Sequence, residues 1–467
     1  MIYKTKDELL KKGIVTENDD YLEIRDLDLF KNKMLNNLVA TIILTDDTQL
    51  KKFCYWVTYE AALKSGITLA SIQPLYEMWA KDDLTNFTVP AMNIRTLTFD
   101  LSRAIFRAAK KINAGSFIFE IARSEIDYTN QRPMEYSSII LLAAIKEGFS
   151  GPVFIQGDHF QVKAKNFSQN REKEISQLKD LIKEAIEGGF YNIDIDSSTL
   201  VDLSKSTVEE QQRLNYEICA LFTKFIRSLQ PKGVEISVGG EIGEVGGKNS
   251  TSEELKAFMK GYLSKMEGVK GISKMSIQTG TTHGGAVLPD GSIAKVNIDF
   301  DTLRTLSEIG RKEYGLAGAV QHGASTLPNE AFHHFPRIGC CEIHLATQFQ
   351  NIVYDYFPLP LKEHIYSWLR EHCSGEGKED WTDDQFIYKT RKKALGIFKR
   401  QIHSLPQELK NKVSDILEKE FSFLFEQLNI KDTKKLIDKY LKVSIVEKRK
   451  EDFLKEGIEL GKLGGAD

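Results

Sequence analysis

Several short apolar runs in this 467-residue sequence stop at residues that could do chemistry. SIQTGTTH ends at His283, GAVQH at His322 and CCEIH at His344. PVFIQGDH ends at the pair Asp158-His159. Others end at Asn93, at Asp196-Ser197-Ser198 and at Glu241. A single histidine is more often a packing residue, but core packing has no reason to place imidazoles at equivalent positions repeatedly. Three imidazoles suit Zn²⁺, which binds nitrogen at about 2.0–2.1 Å and keeps one position open in catalytic sites. His159, His283 and His322 are the expected ligands. Glu241 is a fourth ligand or lies close enough to become one. Asp158 adjoins a ligand and is expected to donate or accept a proton. Its other reading is a partner that fixes an imidazole tautomer.

Two further stretches suggest an anion. HGAST and HLATQ place small residues and hydroxyls just after the last two runs. Gly284, Gly323, Ser325 and Thr347 are candidates to hold a phosphate through backbone N–H groups at a helix start. Ordinary turn and N-cap chemistry would use the same residue types. The glycine-rich GGEIGEVGGKNSTS reads as an active-site loop or a long connector.

Elements must bring these positions together. FTVPAMNIR, SFIFEIA, PVFIQGDHF, YNIDIDSS, VEISVGGEIG, SIQTGTTH, GAVQHG and CCEIHLA read as eight strands. Between them lie amphipathic runs such as FDLSRAIFRAAKKINAG, with apolar residues at helical spacing and a closing glycine. Strand–helix alternation of this length predicts a (β/α)₈ barrel, usually about 250 residues, in which all strand C-termini share one face. An open doubly wound sheet would also alternate, but would not put polar residues at almost every strand end.

The expected boundaries are an N-terminal extension over residues 1–74, the barrel over 75–355 and a helical region over 356–467. In the extension, NLVATIILT reads as a strand and DTQLKKFCYWVTYEAALKSG as a helix. The Lys- and Glu-rich tail reads as a helical cap or dimerisation element, and could lend a residue to a neighbouring subunit's site. Lys+Arg 63 against Asp+Glu 66 gives a net charge of −3, which offers nucleic acid no general attraction. No apolar run approaches the roughly 18 residues of a membrane span, and MIYKTKDELLKKG has no signal-peptide core. Five cysteines without metal-type spacing fit a reducing cytoplasm. The expected ligand is a small molecule with an anionic group, and the expected assembly a homodimer or higher homo-oligomer.

The ordered set of motifs resembles the class II, metal-dependent fructose-bisphosphate aldolases, a group that includes tagatose-bisphosphate enzymes. FTVPAMNI, QGDHF, DIDSS, GGEIGEVGG, TTHGGA, QHGAST and EIHLATQ match in order and spacing. The resemblance implies reversible aldol cleavage of a ketose (bis)phosphate, such as fructose 1,6-bisphosphate, to dihydroxyacetone phosphate and an aldehyde. It implies Zn²⁺ or another divalent cation, Asp158 as acid/base, and Asn93 and His344 on the substrate oxygens. Departures from the family pattern include Val287, Gly239, Glu342 and His344, and Ala122 where the family has Ser. A sugar epimerase or isomerase on the same barrel is the alternative, and so is a non-catalytic subunit like the larger tagatose-bisphosphate aldolase subunits.

Overall fold

The computed structural model describes residues 2–18, 21–81, 86–243, 247–280, 288–289 and 298–454. A short antiparallel hairpin, β1 (Val15–Asn18) and β2 (Tyr21–Ile24), opens the chain. The other strands form one parallel sheet: β3 (Ile67–Ala70), β4 (Val89–Asn93), β5 (Ile118–Ala122), β6 (Gly151–Gln161), β7 (Asn192–Asp196), β8 (Ser237–Gly243), β9 (Lys274–Ile277), β10 (Ala319–Gln321) and β11 (Glu342–Leu345). Strands β4 to β11 pair in sequence order and β11 closes onto β4, so they form a (β/α)₈ barrel. Strand β6 is long enough to serve two neighbours on one edge. Gly151–Phe154 pair with β3, and Gln156–Gln161 pair with β7.

Alternation explains how the strands sit in the wall. In β7, Ile193 and Ile195 face one side while Asp194 and Asp196 face the other. In β9, Met275 and Ile277 alternate with Lys274 and Ser276; in β11, Ile343 and Leu345 alternate with Glu342 and His344. All twelve of these residues are buried, because helices cover the outside and the barrel fills its own centre.

The segment before residue 75 is more closely joined to the barrel than its sequence suggests, since β3 belongs to the sheet. NLVATIILT, expected as a strand, is helical as far as Leu44, in the helix Leu35–Leu44, with Thr45 as its C-cap. Its buried residues Leu35, Leu38, Val39 and Ile42 fall at helical spacing, so period outweighs β-branched content here. The tail docks along the barrel. Helix Gln407–Gln427 lies against helix Thr98–Lys111, where Arg107 pairs with Glu418 and donates to Ser414 Oγ at 3.0 Å. Beyond it, Thr88 N–H donates to Leu428 O, and the Gly115 and Ser116 N–H groups donate to Thr433 Oγ1. Those acceptors cover the N-terminal ends of β4 and β5. No described helix is long and apolar enough to cross a membrane.

Candidate active site

The C-terminal strand ends open into a cleft of about 370 Å³. Its floor includes Asn93, Asp158, His159, His322 and His344. Asp158 and His159 are aimed by a bulge. Between Gly157 and Phe160, β6 carries one residue more than β7 opposite, and His159 adopts φ +38°. A histidine in left-handed backbone is uncommon, and bulges of this kind re-aim side chains beside active sites.

His159 Nδ1 lies 3.2 Å from Glu241 Oε2 and 3.3 Å from Asp196 Oδ2. The His322 ring stands 4.3 Å from the His159 ring, and His322 Nε2 is 2.9 Å from Ser276 Oγ. His159, Glu241 and His322 each offer a ligand atom within 4.8 Å of the others. Two imidazoles and a carboxylate are a donor set that fits Zn²⁺. His283 and Gly284, the other residues expected here, lie outside the described residues. Charge at this cluster also suits a cation. Burial raises the Glu241 pKa, and Asp196 adds to it, to about 7. Burial alone would lower the His159 pKa, but the carboxylates of Asp158, Glu241 and Asp196 push it well above the usual imidazole range.

Asp158 is the opposite case. Burial would raise its pKa, but His159 and His344 hold it well below the usual carboxylate range. It is a buried carboxylate on the cleft floor, biased by the two imidazoles towards its ionised form.

Other expected site residues make contacts that their positions did not foretell. His344 turns both ring nitrogens to carboxylates: Nδ1 is 3.1 Å from Asp158 Oδ1 and from Glu120 Oε2, and Nε2 is 2.7 Å from Glu342 Oε1. Asn93 Nδ2 donates to Glu125 Oε2 at 2.6 Å, and its Oδ1 accepts from Arg95 Nε at 3.2 Å. Ser325 Oγ accepts from the backbone N–H of Ala346 at 2.6 Å and of Thr347 at 3.2 Å, tying the ends of β10 and β11 together. Gly323 takes φ +67° in the turn between them, and Thr347 begins the helix Thr347–Asp355. Gly323, Ser325 and Thr347 all line the cleft.

Sequence reasoning missed the cleft's cations. Arg95 lies two residues beyond Asn93 and pairs with Glu125 at 2.7 Å. Tyr388, Lys389 and Lys392 reach the cleft from the helix Asp383–Thr390 and the turn after it. Burial, with Arg95 nearby, lowers the Lys392 pKa, as expected of an ammonium beside other cations. Arg95 had a signal, being close to a strand end. The tail lysines had none, because many residues of the tail are Lys.

A parallel barrel with a buried carboxylate, clustered imidazoles and a basic rim at its C-terminal face defines a (β/α)₈ protein of the metal-site type. More narrowly, the chain belongs to the class II fructose-bisphosphate aldolase family, whose model matches residues 73–414. Among solved structures, it is similar to a probable tagatose 6 phosphate kinase from Sinorhizobium meliloti 1021, with a TM-score of 0.52 and 12% identity over 76% of this chain and 99% of that one. It also matches the fructose-bisphosphate aldolase of Campylobacter jejuni, with a TM-score of 0.48 and 16% identity over 79% and 97%. The YdjI aldolase of Escherichia coli K12 gives a TM-score of 0.48 and 13% identity over 78% and 98%. At such identities the likeness is one of fold. No curated protein sequence matches. Family membership points to lyase chemistry at the coarse level.

Proposed function

We propose that this chain is a metal-dependent aldolase that reversibly cleaves a phosphorylated ketose, such as fructose 1,6-bisphosphate, to dihydroxyacetone phosphate and an aldehyde. The observation that carries this reading is the buried Asp158 carboxylate on the same floor as the His159–Glu241–His322 donor set. A divalent cation, Zn²⁺ or another, would be held by His159, Glu241 and His322, with His283 as the further expected ligand, and would supply Lewis-acid polarisation of the ketose carbonyl.

The chain's own groups do the rest. In cleavage, Asp158 takes the proton from the C4 hydroxyl as the C3–C4 bond breaks; the bond's electron pair stays with C3, which then takes up one proton to give dihydroxyacetone phosphate. In condensation, Asp158 returns that proton to the aldehyde oxygen. General acid–base catalysis of this sort contributes about 10²–10⁴-fold. His344 flanks Asp158 and keeps it ionised between turnovers. The start of helix Thr347–Asp355 and the rim lysines, Lys389 and Lys392, give two places for anionic ends of the substrate, which supports a sugar phosphate over a neutral sugar.

Cleavage of fructose 1,6-bisphosphate, measured with and without a chelator, tests the reading. Triose phosphate release that a chelator stops and Zn²⁺ restores is the expected result. No release from folded, metal-loaded protein with any ketose phosphate tried would overturn it, and would leave an epimerase or a non-catalytic subunit.

A further inference from the structure

The barrel's centre is filled with charge where branched apolar side chains are the rule. Four carboxylates, Glu120, Asp158, Asp194 and Glu342, and two basic groups, Lys274 and His344, are all buried there. Burying charge of this density costs stability unless the groups pair closely, so its presence calls for a use.

The groups form a chain. Lys274, on β9, donates to Gln156 Oε1 at 2.8 Å, lies 2.9 Å from Asp194 Oδ2 and hydrogen-bonds Glu342. Tyr76, from the helix Gln73–Ala80, donates to the other Glu342 oxygen. Glu342 Oε1 accepts from His344 Nε2, and the opposite ring nitrogen meets Asp158 Oδ1. The ammonium therefore stands three contacts from the carboxylate that the aldolase reading makes the acid/base. Asp194, Glu342 and His344 could together surround a cation, and Lys274 already occupies that place.

Room has been made for this arrangement. A Cβ added at Gly239 would lie 2.3 Å from Asp194 Oδ1 and 3.0 Å from Lys274 Cε. Glycine at 239 thus accommodates the pair.

We propose that Lys274 is a positioning residue for Asp158, acting through Glu342 and His344. Its ammonium fixes the Glu342 carboxylate, Glu342 fixes the imidazole, and the imidazole holds Asp158 in the orientation that faces the cleft. The kinetic side of this proposal rests on the aldolase reading; the geometric side does not.

Two measurements on the metal-loaded protein test it. The first is a crystal structure of Lys274→Met beside that of the unaltered chain. The His344 Nδ1 to Asp158 Oδ1 separation is expected to open past hydrogen-bond range, beyond about 3.5 Å. A ring left in place overturns the proposal. The second is a double-mutant cycle on turnover of the ketose phosphate. Lys274→Met should lower kcat by about 10–100-fold with KM and metal content unchanged, the usual range for a partner that orients a functional group. The double variant with His344→Ala should be no slower than His344→Ala alone. Independent, multiplying losses overturn the proposal, because Lys274 would then act by another route. Absence of lyase activity in the unaltered chain sinks the aldolase reading alone, and the crystallographic separation then decides this one. Where Lys274→Met does not fold, Lys274→Met with Asp194→Asn removes one charge of each sign, and the same two outcomes apply.

Discussion

Asp158 sits between two imidazoles, 4.0 Å from His159 Nε2 and 3.1 Å from His344 Nδ1. Asp158→Asn keeps the shape and removes the proton acceptor. Turnover is expected to fall by about 10²–10⁴-fold while metal content stays unchanged, because the donor set of His159, Glu241 and His322 is intact. Metal analysis beside steady-state kinetics checks both halves, and near-normal turnover would remove Asp158 from the mechanism. These residues were legible because each ends an apolar run, and strand ends share a face in a barrel. His344 was legible by the same signal, but its partners were not. Contacts with Glu120 and Asp158 depend on how far side chains reach across the barrel, which spacing along one strand does not encode. Asp194 lies two residues before Asp196, which the sequence singled out, and Lys274 two before Ser276, so both point to the same inward face as those residues. That alternation was a usable signal, hidden because a buried Lys in a strand looks like an exposed one.

Among the elements, β6 carries the bulge and the left-handed backbone of His159, and a buried clasp holds its exit. Arg123 Nη1 donates to Gln161 O at 2.6 Å and pairs with Glu174, both side chains being almost fully buried. Glu174 Oε1 also accepts from Lys163 N–H at 2.9 Å. The clasp joins the end of β5, the segment after the Asp158-His159 bulge and the helix Arg171–Glu187. Arg123→Met would leave Glu174 buried without its cation. Breaking a buried pair in this way costs about 3–5 kcal/mol, so a large fall in Tm is expected, which denaturant unfolding would quantify. A change under about 1 kcal/mol, the scale of an exposed pair, would show that Glu174 finds water or another partner. The strands themselves were readable from their alternation and their polar ends. The bulge was not, since one extra residue in a ladder shows only when the neighbouring strand's register is known.

At the scale of the molecule, the tail runs from one face of the barrel to the other and contributes to both stability and the site. His403 marks where it docks, and burial, followed by Lys410 and Lys399, lowers its pKa to about 4. The unfolded chain takes up this proton below about pH 6.5, the folded chain only near pH 4. Stability from this group is therefore complete above pH 6.5 and lost as pH falls from there towards 4, with a limit of about 3 kcal/mol. His403→Gln should flatten the fall in Tm across that window, and an unchanged pH profile would exclude His403 as a source of it. The tail was readable as helical from its amphipathic pattern, but its path was not, because a Lys- and Glu-rich helix carries little that specifies a partner surface. That path puts Lys392 at the cleft, with Tyr128 as a ring neighbour at 5.8 Å. A cation kept there, near Arg95, at the expense of a lowered pKa fits an anionic ligand better than a structural ion pair. Lys392→Met keeps most of the stem and removes the charge. Hydrogen bonds to charged groups contribute about 1.5–3 kcal/mol, so KM for a bisphosphate should rise roughly 10–100-fold, with kcat little changed. Added salt should raise the KM of the unaltered chain in the same direction and affect the variant less. Equal KM values for the two proteins would remove Lys392 from the binding of the proposed substrate.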